Sequence, residues 1–109
     1  MQIEVSGRHV NVTEELRSYA QEKASKLPRF FDRVQAIEVI LDHEGEGFTV
    51  DMIVSAEGKN HFHAHESGSE MFALIDLIVD KMERQLRRHK ERFRNRKHMA
   101  TNPDKSEEL

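Results

Sequence analysis

The chain has 109 residues, of which 37% are hydrophobic and 34% charged, with a formal net charge of −3 and no cysteine. That allows one small domain with a modest core and excludes disulfides and thiolate metal sites. The opening MQIEVSGRH lacks the basic and apolar regions of a signal peptide, and the longest apolar runs, MFALI and LIV, are too short to span a bilayer. The reading is therefore a soluble cytoplasmic protein.

Residues 1 to 12 alternate, with Met1, Ile3 and Val5 apolar and then Val10 and Val12 after an SGR break, which reads as a half-buried strand. Thr13 then precedes Glu14 and Glu15, a helix start with acid in its first turn. Leu16, Tyr19, Ala20, Ala24 and Leu27 recur at helical spacing until Pro28, so the first helix is expected over about 14–27. From Val34 the period falls to two. Ile37, Val39 and Leu41 face one way, as do Phe48, Val50, Met52 and Val54 after the turn HEGEG, and Phe62 and Ala64 after the turn EGKN. Three strands with tight turns make an antiparallel meander.

Ser67 and Glu70 match the Ser-x-x-Glu capping box ahead of a long amphipathic run. Phe72, Ile75, Val79, Met82, Leu86 and Phe93 step by three, four or seven, giving a second helix over about 68–96 with one apolar stripe. The order β-α-β-β-β-α predicts an α+β fold, a four-stranded mixed sheet with both helices on one face. The domain is expected over 1–97. Residues 98–109, polar and containing Asn-Pro, read as a flexible tail.

Charge is distributed unevenly along the chain. Lys81 to His98 holds nine Lys or Arg against two Glu, whereas the segment before it holds seven basic and fifteen acidic residues. On a helical wheel Lys81, Arg84, Arg88 and Arg92 share an arc opposite the apolar stripe, with Arg87 at its flank and Lys90 nearer the apolar edge. Like charges four apart cost a few tenths of a kcal/mol per pair, and a helix dipole favours cations only in its last turn. A polyanionic partner accounts for the whole row. The first helix adds Arg17, Lys23 and Lys26, followed by Arg29 and Arg33, so the two helices side by side would form one basic surface.

No aromatic stripe interleaves with these cations, and neither helix-turn-helix nor zinc-finger spacing is present. Structured RNA, recognised by backbone and shape, is the target class that remains. The rival is a module whose long helix docks on an acidic protein. HFHAH places His61, His63 and His65 on one strand face, a minor metal candidate that Asp51 or Glu38 would complete across the sheet. No nucleophile–base arrangement or phosphate cradle is visible, so neither an enzyme, a cofactor nor a small-molecule substrate is expected.

The opening MQIEVSGRHVNVTEELRSYAQEKASKLPRFFDR and the run SEMFALIDLIVDKMERQLRRHK resemble the short ribosome hibernation promoting factors, whose family includes the ribosome-associated inhibitor and the sigma-54 modulation proteins. The match covers residues 1 to about 94. The resemblance implies a fold similar to a double-stranded RNA-binding domain with an extra strand. It also implies binding to the small (30S) ribosomal subunit, in the channel of mRNA and the A- and P-site tRNAs, inhibiting translation in stationary phase or stress. Carried over by position, it implies rRNA contacts at Lys23, Lys26, Lys81, Arg84, Arg88 and Lys90, supported by Arg29, Arg33, Arg87 and Arg92. The sequence holds no second dimerisation domain like that of the long factors, so the free protein is expected to be a monomer. The tail carries only Asp104, Glu107 and Glu108 as acids, fewer than the inhibitors of the family, and leaves its effect on ribosome pairing open.

Overall fold

The computed structural model describes residues 2–30 and 33–98, and at positions 30, 59 and 92–98 the backbone only. Strand β1 (Gln2–Gly7) leads into helix α1 (Glu14–Ala24) and a 3-10 turn (Leu27–Phe30). Strands β2 (Val34–Glu44), β3 (Gly47–Ala56) and β4 (Asn60–Gly68) follow, and helix α2 (Met71–His98) closes the order. The strands lie β1-β2-β3-β4, with β1 parallel to β2 across the α1 crossover and the other pairs antiparallel. This is the expected β-α-β-β-β-α sheet. The expected tail at 98–109 lies, except for His98, outside the described residues. Among those residues, no helix is long and apolar enough to cross a membrane.

Period-two alternation sets the register, because a one-residue slip would turn each strand's apolar set to solvent. Val5 lies beside Val39, Val39 faces Met52, and Met52 faces Ala64, so a row of buried side chains runs across all four strands. The helices cover that face with Leu16, Ala20 and Ala24 from α1 and Ile75, Ile78, Met82 and Leu86 from α2. Each fully buried aliphatic contributes about 1.5–3 kcal/mol relative to exposure. The β2–β3 hairpin turns through Gly45 at φ 61°, a left-handed conformation that favours glycine.

Four boundaries differ from the sequence reading. Strand β1 ends at Gly7 rather than running on through residue 12, and Val10 and Val12 pack against the core from the connection that follows it. Helix α1 stops at Ala24 rather than about 27, where Ser25 takes over the cap and donates to the Gln21 carbonyl. Pro28 then sits inside the 3-10 turn rather than ending the helix. Helix α2 begins at Met71, not at 68, because Ser67 and Gly68 stay paired with Thr49 and Phe48 in β4. Ser67 therefore forms no capping box. Glu70 does the capping itself, its Oε1 accepting from Ala73 N at 3.0 Å. The buried arc of α2 is also wider than the expected stripe, taking in Met71, Leu74 and Ile78, while Phe72 is half-buried at its flank against Tyr19. The Phe93 side chain lies outside the described residues.

Both outer strands receive side-chain donors from a helix. Arg17 Nη1 of α1 donates to the Val5 carbonyl of β1 at 2.8 Å. On β4, Lys81 Nζ donates to the His65 carbonyl and Gln85 Nε2 to the His63 carbonyl, each at 3.0 Å.

Candidate nucleic-acid interface

Among the described side chains of α2, which run to Glu91, the last buried one is Leu86, twelve residues before the helix ends. At about 1.5 Å per residue, that leaves some 18 Å of helix beyond Leu86. His89 makes an edge contact with Phe62, ring centroids 5.1 Å apart. Arg84, Arg88 and Lys90 are exposed and make no hydrogen bond or ion pair with another described residue. Arg87, also exposed, pairs with Glu83 one turn earlier at 3.2 Å. Such a solvated pair is worth only a few tenths of a kcal/mol and yields readily to a phosphate. Arg92 lies on the same helix, but its side chain is outside those described. Lys81 differs from the rest of the row: its ammonium is 3.0 Å from the His65 carbonyl and 3.2 Å from Glu66 Oε2.

At the end of α1, Lys26 and Arg29 are exposed and unpaired among the described residues, while Arg33 pairs with Glu57 at 2.9 Å. Lys23 belongs to a polar knot between the helices. Tyr19 donates its hydroxyl proton to Asp76 Oδ1 at 2.7 Å, Lys23 Nζ lies 3.5 Å from the same oxygen, and its charge sits 5.4 Å from the Tyr19 ring centre. The Asp76 hydrogen bond, then burial, raises the Tyr19 pKa, and the Asp76 charge, then Tyr19, raises that of Lys23.

The two basic sets do not fuse into the single surface expected. A groove of about 380 Å³ separates them, with Lys23, Lys26 and Arg29 on one wall and Asp76, Asp80 and Glu83 on the other. The α1 cations and the α2 cations therefore form two tracks with an acidic seam between them. Charge pattern alone missed the seam because those three acids fall between basic residues only once the helices are packed.

The sheet face away from the helices carries a second network. Asp51 Oδ1 lies 3.0 Å from both His63 Nε2 and His65 Nδ1, and its Oδ2 lies 3.8 Å from Arg8. Arg8 also reaches Asp42 at 3.6 Å, and the Asp42 Oδ1 accepts from the His9 and His43 backbone amides at 3.1 and 2.8 Å. Asp42 is held below the usual carboxylate range, first by its hydrogen bond with the His9 ring at 2.9 Å. For Asp51 partial burial is the largest influence and pushes upward, but the hydrogen bonds to His65 and His63 outweigh it and leave its pKa lowered.

These are the residues of the metal candidate, and in the structure two of the rings converge on one oxygen of Asp51, His61 lies 3.4 Å from Ser55 Oγ, and Glu38 pairs across from Ile53, a strand away from β4. Among the described residues, no group of three or more His, Asp or Glu is arranged to hold a metal ion. Arg8, His9 and Asp42 carried no local signal in the sequence, since the link from His9 to Asp42 spans 33 residues.

Comparison with known proteins agrees with this architecture. Residues 3–94 match the profile of the family described as Sigma 54 modulation protein / S30EA ribosomal protein. The chain is 36% identical over 94 residues to a ribosome hibernation promoting factor of Escherichia coli K12, covering 86% of this chain and 98% of that one. It is 38% identical over 92 residues to a factor of the same name from Azotobacter vinelandii, covering 84% and 85%. Among solved structures, a ribosomal subunit interface protein from Coxiella burnetii superposes with a TM-score of 0.77 at 25% identity, over 84% of this chain and 99% of that one. The Protein Y N-terminal domain of Thermus thermophilus gives 0.73 at 27%, over 82% and 99%.

Proposed function

The chain belongs to the Sigma 54 modulation protein / S30EA ribosomal protein family, and we propose that it is a ribosome hibernation factor acting on the small subunit through rRNA. The observation that carries the reading is the run of Arg84, Arg88 and Lys90 on α2, exposed and unpaired among the described residues. In this reading Lys26 and Arg29 form the second track, with Lys23, Arg33, Arg87 and Arg92 supporting. The two tracks straddle the acidic seam as two phosphate ridges flank a groove. Occupying the decoding channel excludes mRNA and the A- and P-site tRNAs, so translation stops without any bond being made or broken. Residues 1–97 form the binding unit, and 98–109 act as a separate tail.

Affinity then comes from counterion release and falls steeply with salt. The test is co-sedimentation with purified 30S subunits across a salt series. Wild-type protein sediments with the subunit at low salt and detaches as salt rises, and Arg84→Glu with Arg88→Glu weakens binding on the order of 100-fold. Binding that ignores salt, or is unchanged by the double reversal, refutes the reading.

A further inference from the structure

Lys81 sits in the basic row by sequence, yet its ammonium is already taken up by the His65 carbonyl and Glu66. Gln85, which is neutral, does the same one turn later at the His63 carbonyl. The spacing is commensurate. Four helical residues rise about 6 Å and two strand residues about 6.8 Å, so α2 and β4, running in opposite directions, keep step along the edge. Another turn on, His89 meets Phe62, one strand residue further rather than two. The contacts 81 to 65, 85 to 63 and 89 to 62 thus carry the pairing of α2 with the sheet edge past Leu86.

We infer that Lys81 and Gln85 are positioning residues that lock α2 to the edge of the sheet and so aim Arg84 and Arg88 at the RNA. The inference rests on the rRNA reading above for what is aimed, but not for the lock. A cation that already holds a carbonyl and a carboxylate must give both up to water before it moves to a phosphate, which lowers its net gain. Arg84 and Arg88 have no such commitment. The lock sets the direction of the helix end, and therefore the distance between the α2 track and the α1 track.

The test separates charge from hydrogen-bond donation. Lys81→Gln keeps a donor and deletes the charge, Lys81→Met deletes both, Gln85→Leu deletes a donor with no change of charge, and Arg84→Gln serves as the phosphate-contact control. Binding of each to 30S subunits is measured across a salt series. Amide hydrogen exchange over α2 is measured in the free protein. Arg84→Gln should reduce the slope of log K against log salt by about one. Lys81→Gln should leave the slope unchanged and the affinity within about twofold. Lys81→Met and Gln85→Leu should weaken binding several-fold at unchanged slope, and should speed exchange of α2 amides at least several-fold beyond Met82. Equal slope losses of about one for both Lys81 variants, with Gln85→Leu silent and exchange unaltered, would overturn the lock. A flat salt response of wild-type protein and Arg84→Gln alike would instead sink the rRNA reading, and the exchange data would still decide the lock.

Discussion

At the scale of residues, like side chains on one helix have unlike work because of what lies within 4 Å. Arg84 and Arg88 have no described partner, whereas Lys81 of the same helix is held by the His65 carbonyl and Glu66. Asp51 shows the same dependence on neighbours across the sheet, where two histidines and an arginine converge on one carboxylate. Its pKa is lowered on folding, so its contribution is full above the unfolded value near 3.9 and is lost as pH falls through the folded value. Asp42 follows the same sign. We expect Asp51→Asn to flatten the acid limb of stability, read as thermal melting temperature between pH 2 and 5. Wild-type and variant curves of equal steepness would show that the network contributes nothing. HFHAH was legible as a row of histidines, but its partner was not identifiable as a hydrogen-bond hub, because that depends on the register of β3 against β4 and on Arg8 after β1.

At the scale of elements, periodicity predicted every strand and both helices, while the ends were decided by competition. Ser67 satisfies a capping pattern, yet pairing with β3 keeps it in the strand, and the cap passes to Glu70. Glu70→Ala should cost about 1 kcal/mol in urea unfolding, the usual loss of a helix cap, while Ser67→Ala should stay within about 0.5 kcal/mol. Reversed magnitudes would restore the capping box. Thr13 provides the corresponding cap on α1, its Oγ1 accepting from Leu16 N at 3.1 Å. Leu86 is the last buried rung of α2 among the described residues, with no exposed surface. Leu86→Ala should cost about 2–5 kcal/mol, the range for a truncated core leucine. A loss below about 1 kcal/mol would mean that α2 is held at this point by Lys81 and Gln85 more than by packing. The expected stripe included Phe72 and missed Leu74 and Ile78 because a wheel assumes one seam, whereas a helix lying on a sheet beside another helix is covered over a broader arc.

At the scale of the molecule, charge is divided along the chain. Thirteen of the 20 acids precede α2, and nine of the 17 lysines and arginines lie on α2 from Lys81 onward. An acidic body behind a basic edge orients the approach to a polyanion and opposes binding by the wrong face. Reversing Arg84 and Arg88 together should weaken 30S binding on the order of 100-fold at low salt and flatten its salt dependence, as fits the loss of two phosphate contacts. An unchanged salt slope would place the contact elsewhere. This division was visible in the order of charges along the chain, but the seam of Asp76, Asp80 and Glu83 was not, since only helix packing brings it between the tracks. The donors on the two outer strands have a consequence for stoichiometry. Bare strand edges invite another strand to add, whether from a partner or from a second copy. With Arg17 on β1 and Lys81 and Gln85 on β4, strand addition would first have to displace side chains already bonded there. Each molecule then counts once: occupancy of ribosomes should follow a hyperbola with a Hill coefficient of one, and the share of ribosomes silenced should track the number of chains in simple proportion until one is bound per subunit.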